Sequence, residues 1–550
     1  MAHTEGQTQE QERKMVKHTT IPFAPFTPPG ATPSLARLAY DRLGFGPRPG
    51  ATDFNDVTSL NAYIDAQLAP EVIDDSACDA YIAGMSRLDS AGFTMPVPDA
   101  TTAQIRQYVA ATTAYGPGEL GEFLRKATTA RAIFSKRQLL EAMVDFWNNH
   151  LNTTINTSQY KYWEDRYVMR EFALGNFRDI LGASAKSPSM LAFLSNRYSD
   201  GSNPNENYAR ELLELHSMSP TNHIPGDPQN GQANYTEVDV HTLAQILSGW
   251  TNTHSEEDEF EFNDSPYWPS HHYPPKKLYL GGNTPIYFPY GGQEQGEYAL
   301  DVISAHKSTA YFISWKLCQR FISDVPDTFC PNVVAAGMNA FIANYGNIRE
   351  TLRVILKADF PGADFKSSWG QKIKRPFEFL ASALRAMNAS SYPPPNNPYS
   401  GINDWDLLNY YNALGQELFA FPTPDGFPEE MTAWMNTNHV FGRWTLGNLL
   451  VRRYFGEISN NWSMGATAPA NAALDVFVGA SPGPALNATQ VVDRLIGYFI
   501  GRTIDTADRV NLITYLSNAS AGNPNAITST NLNIRPLIGA LIASPYFQWR

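Results

Sequence analysis

The stretch "NPNENYARELLELHS", Asn203 to Ser217, decides how this 550-residue chain is read. Laid out at about 100° per residue, Asn203 is placed to cap a helix, Pro204 to open its first turn and Glu206 to close a capping box. Glu206, Arg210 and Glu214 recur at four-residue spacing along one face, with Asn207 and Glu211 beside them. Tyr208, Ala209, Leu212, Leu213 and Leu215 make up the rest, and His216 falls inside that apolar arc. The pattern predicts an amphipathic helix. Its polar half is the unusual part, because charged residues are only 17% of the chain, low for a helical protein.

The helical period continues outward. In "DVTSLNAYIDAQLAP", Leu60, Ile64 and Leu68 recur every four residues until Pro70 closes the run. "SKRQLLEAMVDFWNNHLN", residues 135–152, sets Leu139, Met143, Phe146 and His150 on one stripe, opposite Glu141, Asp145, Asn148 and Asn149. "TEVDVHTLAQILSGW" opens at Thr236 with Asp239 three residues on, an approximate capping box. Strand-like alternation is scarce, and its best candidates lie in residues 258–290, where Gly-Gly and Pro mark turns.

The expected fold class is therefore mainly α. A multi-helix globular body, residues 34–388, carries a long aromatic-rich loop or hairpin insertion at 252–295. An extended tail precedes it at 1–33, a Pro/Asn-rich linker follows at 389–402, and a smaller helical C-terminal part fills 403–550.

A net charge of −13 with no Lys/Arg run argues against nucleic acid as a partner. No stretch of ~18 apolar residues provides a transmembrane segment. The polar N-terminus lacks the apolar core of a secretion signal, which makes the cytoplasm the default expectation. Cys78, Cys318 and Cys330 form no CxxC pair and read as buried free thiols. No Walker A loop, GxSxG elbow or HExxH pair is present.

Glu206, Glu211 and Glu214 supply the carboxylates that acid/base hydrolysis needs, with Arg210 enclosed between them in a cleft, holding one ionised. Trp268 and Tyr273, near His272 and Lys277 in the aromatic insertion, offer faces on which pyranose rings stack. His150 and His216, aimed inward from two helices, could share a divalent metal with nearby carboxylates. His306 sits where one helical pattern ends, a position at which the helix dipole favours a cation.

"RLGFGPRPG", "SKRQLLEAMVDFWNNHLN", "ALGNFRDIL", "SPSML", "NENYARELLELHS", "HKSTAYFISWKL" and "PDGFP" follow in the order of the DUF1800 family, which this chain resembles from about Ser34 to Leu450. The closing "LIASPYFQWR" is similar to the ending of such proteins. The resemblance implies that the recurring polar positions are His150, Asn205, Glu206, Asn207, Arg210, Glu211, Glu214, His216, Asp239, His272, Lys277, His306 and Lys316. It implies a glycan or cell-envelope polymer as substrate and a DUF1501-type protein as partner, because members are often exported and encoded beside such proteins. Two departures stand out: no export signal, and Lys307 where the family usually has proline. Three readings stay open: a carboxylate-based hydrolase of a polyhydroxylated polymer, a His/Glu metal-dependent enzyme such as an oxidoreductase, and a non-catalytic binding or scaffold protein.

Overall fold

A computed structural model describes residues 28–85, 94–97, 100–111, 118–201, 203–219, 235–252, 260–263, 276–280, 286–288, 291–392, 412–455, 472–478, 486–518, 525–528, 531 and 533–550. Helices dominate these residues, as the periodicity predicts. Helix Val57–Gln67 begins at Asp56, whose carboxylate accepts from the Ser59 amide at 2.8 Å, and it stops ahead of Pro70. Its Leu60 and Ile64 are fully buried, each such side chain contributing roughly 1.5–3 kcal/mol. In helix Gln138–His150, Leu139, Met143, Phe146 and Trp147 are all buried, and the Trp147 indole donates to the Ala173 carbonyl at 2.9 Å.

Two large cores result. One gathers helices from Leu35–Arg42 through Ile348–Lys357, including Gln138–His150 and Lys307–Phe321. The other packs helix Pro376–Ala386 against Thr437–Phe455, Ala488–Phe499 and Ile534–Ala543. Leu380 and Leu384 thus share an interior with Leu446 and Leu450, so chain from both sides of 389–402 builds one core. Most of that linker, and residues 1–27 of the tail, lie outside the described residues. The three cysteines are buried and free.

The insertion is bracketed by two antiparallel pairs. Strand β1 (Trp250–Asn252) pairs with β2 (Phe260–Phe262), and β3 (Lys276–Leu278) pairs with β4 (Ile286–Phe288). Among the described residues no helix is long and apolar enough to cross a membrane.

The opening stretch folds differently from its helical wheel in two respects. Its helix is Glu206–Glu211, capped by Asn205, whose side chain accepts from the Asn207 amide at 2.9 Å. Asn203 lies ahead of this helix in a preceding turn, its amide donating to the Asp200 carboxylate at 2.7 Å. From Leu212 to Ser217 the helix is then π-helical, with the Met218 amide reaching the Leu213 carbonyl at 2.7 Å. A second π-helical turn, Asp165–Arg170, packs on helix Gln138–His150. Such turns are rare and concentrate at functional sites, because the widened turn re-aims side chains that a regular helix would stack.

Candidate functional site

The charged arc divides between two environments. Arg210 faces the neighbouring helix Glu237–Ile246 and donates two hydrogen bonds to Glu237, at 2.9 and 2.7 Å. Glu206 stands beside it at 3.5 Å and holds the His241 ring at 2.9 Å. This ladder is open to solvent, with Arg210 33% and Glu237 72% exposed. The expectation of Arg210 enclosed between carboxylates in a cleft is therefore corrected: both oxygens of Glu237 engage the guanidinium on the outside of the molecule. Exposed pairs contribute about 0–1 kcal/mol and are screened by salt. Arg210→Ala should accordingly shift a urea melt by less than about 1 kcal/mol, and moderate salt should erase the difference.

Glu211 and Glu214 lie off this ladder and half-buried. Burial, together with the nearby Glu214 and Asp425 carboxylates, raises the Glu211 pKa to about 7 against the opposing pull of Arg210. Asp425 comes from the loop of the "PDGFP" motif, and "FWNNHLN" puts it there. Asn149 donates to the Phe427 carbonyl at 2.9 Å and accepts from the Phe427 amide at 2.7 Å. Asn152 donates to the carbonyls of Phe421 and Thr423, at 3.1 and 2.7 Å. Gly426 completes the clamp: its φ is +70°, and a Cβ there would lie 2.3 Å from the Asn149 carbonyl oxygen.

The far end of the loop is anchored in a buried ionic lattice. Arg375 meets Asp145 at 2.6 Å, Glu378 at 3.0 Å and Glu429 at 3.1 Å. Arg320 meets the same three carboxylates at 2.7, 3.0 and 3.4 Å, and Arg550 reaches Glu378 at 2.7 Å. Burial and the Glu378 and Glu429 charges push Asp145 up to about 6 in spite of Arg375. Lys316, on helix Lys307–Phe321 between lattice and loop, has its pKa lowered by burial although Glu429, Glu430 and Asp425 oppose the shift.

His150 and His216 come together, with ring centroids 6.4 Å apart. The His150 Nε2–H donates to the backbone carbonyl of His216 at 3.0 Å, and the ring stacks on Phe146 at 5.7 Å. Burial, then Lys316 and His216, hold the His150 pKa well below the usual imidazole range. Burial lowers His216 to about 4, and its Nε2 has no hydrogen-bond partner among the described residues. Nor is any group of three His, Cys, Asp or Glu side chains among the described residues arranged to hold a metal ion. The donor that matters is His150: His150→Leu strands a buried carbonyl and should cost about 1–3 kcal/mol in a urea melt. His216→Leu should cost less, since that side chain fills space with an unused nitrogen; the reverse order would contradict the assignment.

The remaining candidates hold backbone. The Asn205 side-chain amide donates to the Ser195 carbonyl at 3.0 Å, and that of Asn207 to Leu194 at 3.4 Å, docking this helix on the "SPSMLAFLSN" segment. Asp239 completes the capping box with Thr236 and also accepts from the amide of Tyr279 at 2.6 Å. His306 is the N-cap of helix Lys307–Phe321, accepting at Nδ1 from Ser308 at 3.1 Å, rather than a cation at the preceding helix end. Burial and Lys307 lower its pKa to about 4, the form a helix N-terminus favours. Asp239 and His306 both hydrogen-bond the backbone of Leu280, whose φ is +43°, and so tether the insertion. Lys277 is exposed over Tyr287 at 5.1 Å. Trp268, His272 and Tyr273 lie outside the described residues.

Sequence reasoning missed Asp425 and the lattice carboxylates Glu378 and Glu429. The signal available for Asp425 was its place in "PDGFP", a polar residue in a turn that the resemblance had already singled out. The family described as "Protein of unknown function (DUF1800)" matches residues 38–549, nearly the whole chain. No curated protein and no solved structure matches.

Proposed function

We propose, from the premise that the chain belongs to the DUF1800 family, that it is an enzyme hydrolysing a glycan or similar polyhydroxylated polymer by carboxylate acid/base chemistry. The observation that carries this reading is Glu211, half-buried near the Glu214 and Asp425 carboxylates, an environment that raises its pKa to about 7. Glycosidic cleavage needs one carboxyl group to protonate the leaving oxygen and a second carboxylate to act as nucleophile or to activate water. Glu211 takes the first role, since an acid is most effective when its pKa lies near the working pH. Asp425 takes the second: it is exposed, comes from a different element, and is held by the Asn149 and Asn152 clamp. Burial, and after it repulsion from Glu214, keeps the Glu211 proton in place.

The test is release of new reducing ends from a panel of neutral and charged polysaccharides, with products sized by mass spectrometry. Cleavage of at least one polymer is expected, falling by about 10²–10⁴-fold in Asp425→Asn. Binding without any new reducing ends would favour the non-catalytic reading. Cleavage insensitive to Asp425→Asn would move the site elsewhere.

A further inference from the structure

We infer that a groove sharing no residue with the acid cluster binds a small organic anion, a carboxylate, sulfate or phosphate ester carried on a ring-sized body. The groove encloses about 390 Å³, within the roughly 300–1,000 Å³ typical of small-ligand sites. One wall comes from residues 34–53, which contain the "GPRPG" turn of the first family motif. The other is a face of helix Ala488–Phe499 and its end, with Arg494, Gly497, Tyr498 and Gly501.

Charge is the first observation. Arg48 stands between Pro47 and Pro49, and the flanking Gly46 and Gly50 both have positive φ, so the turn is stiff and pre-formed. Its guanidinium donates only to neutral acceptors: the Asn388 side chain at 2.8 Å and the carbonyls of Ala389 and Ile133 at 2.9 and 3.4 Å. Arg494 lies over the Tyr498 ring at 5.7 Å, and no carboxylate among the described residues pairs with it. Arg37 is already neutralised by Asp41 at 2.7 Å, which leaves Asp53 as the groove's own carboxylate. Two guanidiniums without counter-ions against one carboxylate make this a positive concavity on a chain of net charge −13. Walls of one sign concentrate their field into a cleft and draw in the opposite charge.

Gly497 is the second observation, and it is independent of charge. It lies inside helix Ala488–Phe499, where glycine is the least favourable residue after proline. Nothing lies within 4 Å of the place its Cβ would occupy. Neither packing nor backbone conformation requires glycine there, whereas Gly501 needs it for a φ of +69°. What the missing side chain does is keep the groove open.

Calorimetric titration of the full chain with glucuronate, glucose 6-sulfate and glucose 6-phosphate, with glucose as the neutral control, tests this. At least one anion should bind about tenfold more tightly than glucose, with affinity falling as salt rises. Which of the three binds identifies the anionic group. Arg494→Gln should weaken that binding by about tenfold, and Gly497→Phe should abolish it. Gly497→Ala should melt no lower than the parent, showing that the position tolerates a side chain. Failure of all three anions to bind overturns the inference. So does parental affinity in a folded Gly497→Phe protein or, should that variant not fold, in Arg494→Gln.

Discussion

Replacing Arg375 by methionine is expected to cost about 3–5 kcal/mol of folding stability, the largest loss from any single side chain considered above. Arg375 is one of three guanidiniums set among the carboxylates of Asp145, Glu378 and Glu429, and it is 2% exposed. Without it, the three buried carboxylates keep direct ion pairs only with Arg320 and Arg550, with Lys372 and Lys316 acting on Glu429 from nearby, and the negative charge is left undercompensated. Because these groups are buried, salt screens the surplus only weakly. The double variant Arg375→Met with Glu378→Met should recover part of the loss by restoring the charge balance. Lower pH should also recover part, since Asp145 is already raised to about 6 and takes up a proton readily. Urea melts of the single and double variants at two salt concentrations measure this. A loss below about 1 kcal/mol that salt abolishes would mean the lattice is wet. The loop carrying Asp425 is tied to this lattice through Glu429, so hydrolysis should fall along with stability.

Glu211→Gln should produce opposite changes in activity and stability. If Glu211 is the proton donor, the variant loses about 10²–10⁴-fold in hydrolysis. Its stability should nevertheless rise in mildly alkaline buffer. The folded-state pKa is about 7 against an ordinary value of 4.5, so between those limits the folded chain keeps a proton that the unfolded chain has released. The stabilisation from this group is thus fully present below the ordinary value and is lost as pH rises through about 7. Glutamine carries no charge at any pH. Wild type and variant should melt together at about pH 4 and diverge by about pH 8, with the variant higher. Parallel melting curves across that range would show that Glu211 is not perturbed, removing the main support for the proposed chemistry.

Much of the architecture was legible in the chain itself. Four-residue spacing of Leu60 and Ile64, and the stripe of Leu139, Met143, Phe146 and His150, identify helices and their buried faces. Thr236 and Asp239 mark a capping box that the structure contains. These signals are local: a helix presents the same face every three to four residues whatever packs against it. The polar arc of residues 203–217 was legible as unusual for the same reason.

What meets that arc was not legible, because periodicity says which face is covered and nothing about what covers it. Asp425 is brought near Glu211 by side-chain bonds from Asn149 and Asn152 to a loop 269 to 278 residues away in sequence. The partners of Arg375 include Asp145, 230 residues earlier. Arg210 makes its two short bonds to Glu237 on the next helix, while Glu206 at one-turn spacing stands farther off at 3.5 Å. His306 changed from a helix end to a helix start because its Nδ1 found the Ser308 amide and Leu280 arrived from the insertion. The sequence determined the helices, their apolar faces and the chemical groups available; only the tertiary structure decided which groups share a dry environment. Proton affinity and ion pairing depend on the dielectric and on charges within a few ångströms, and both of those are set by distant parts of the chain.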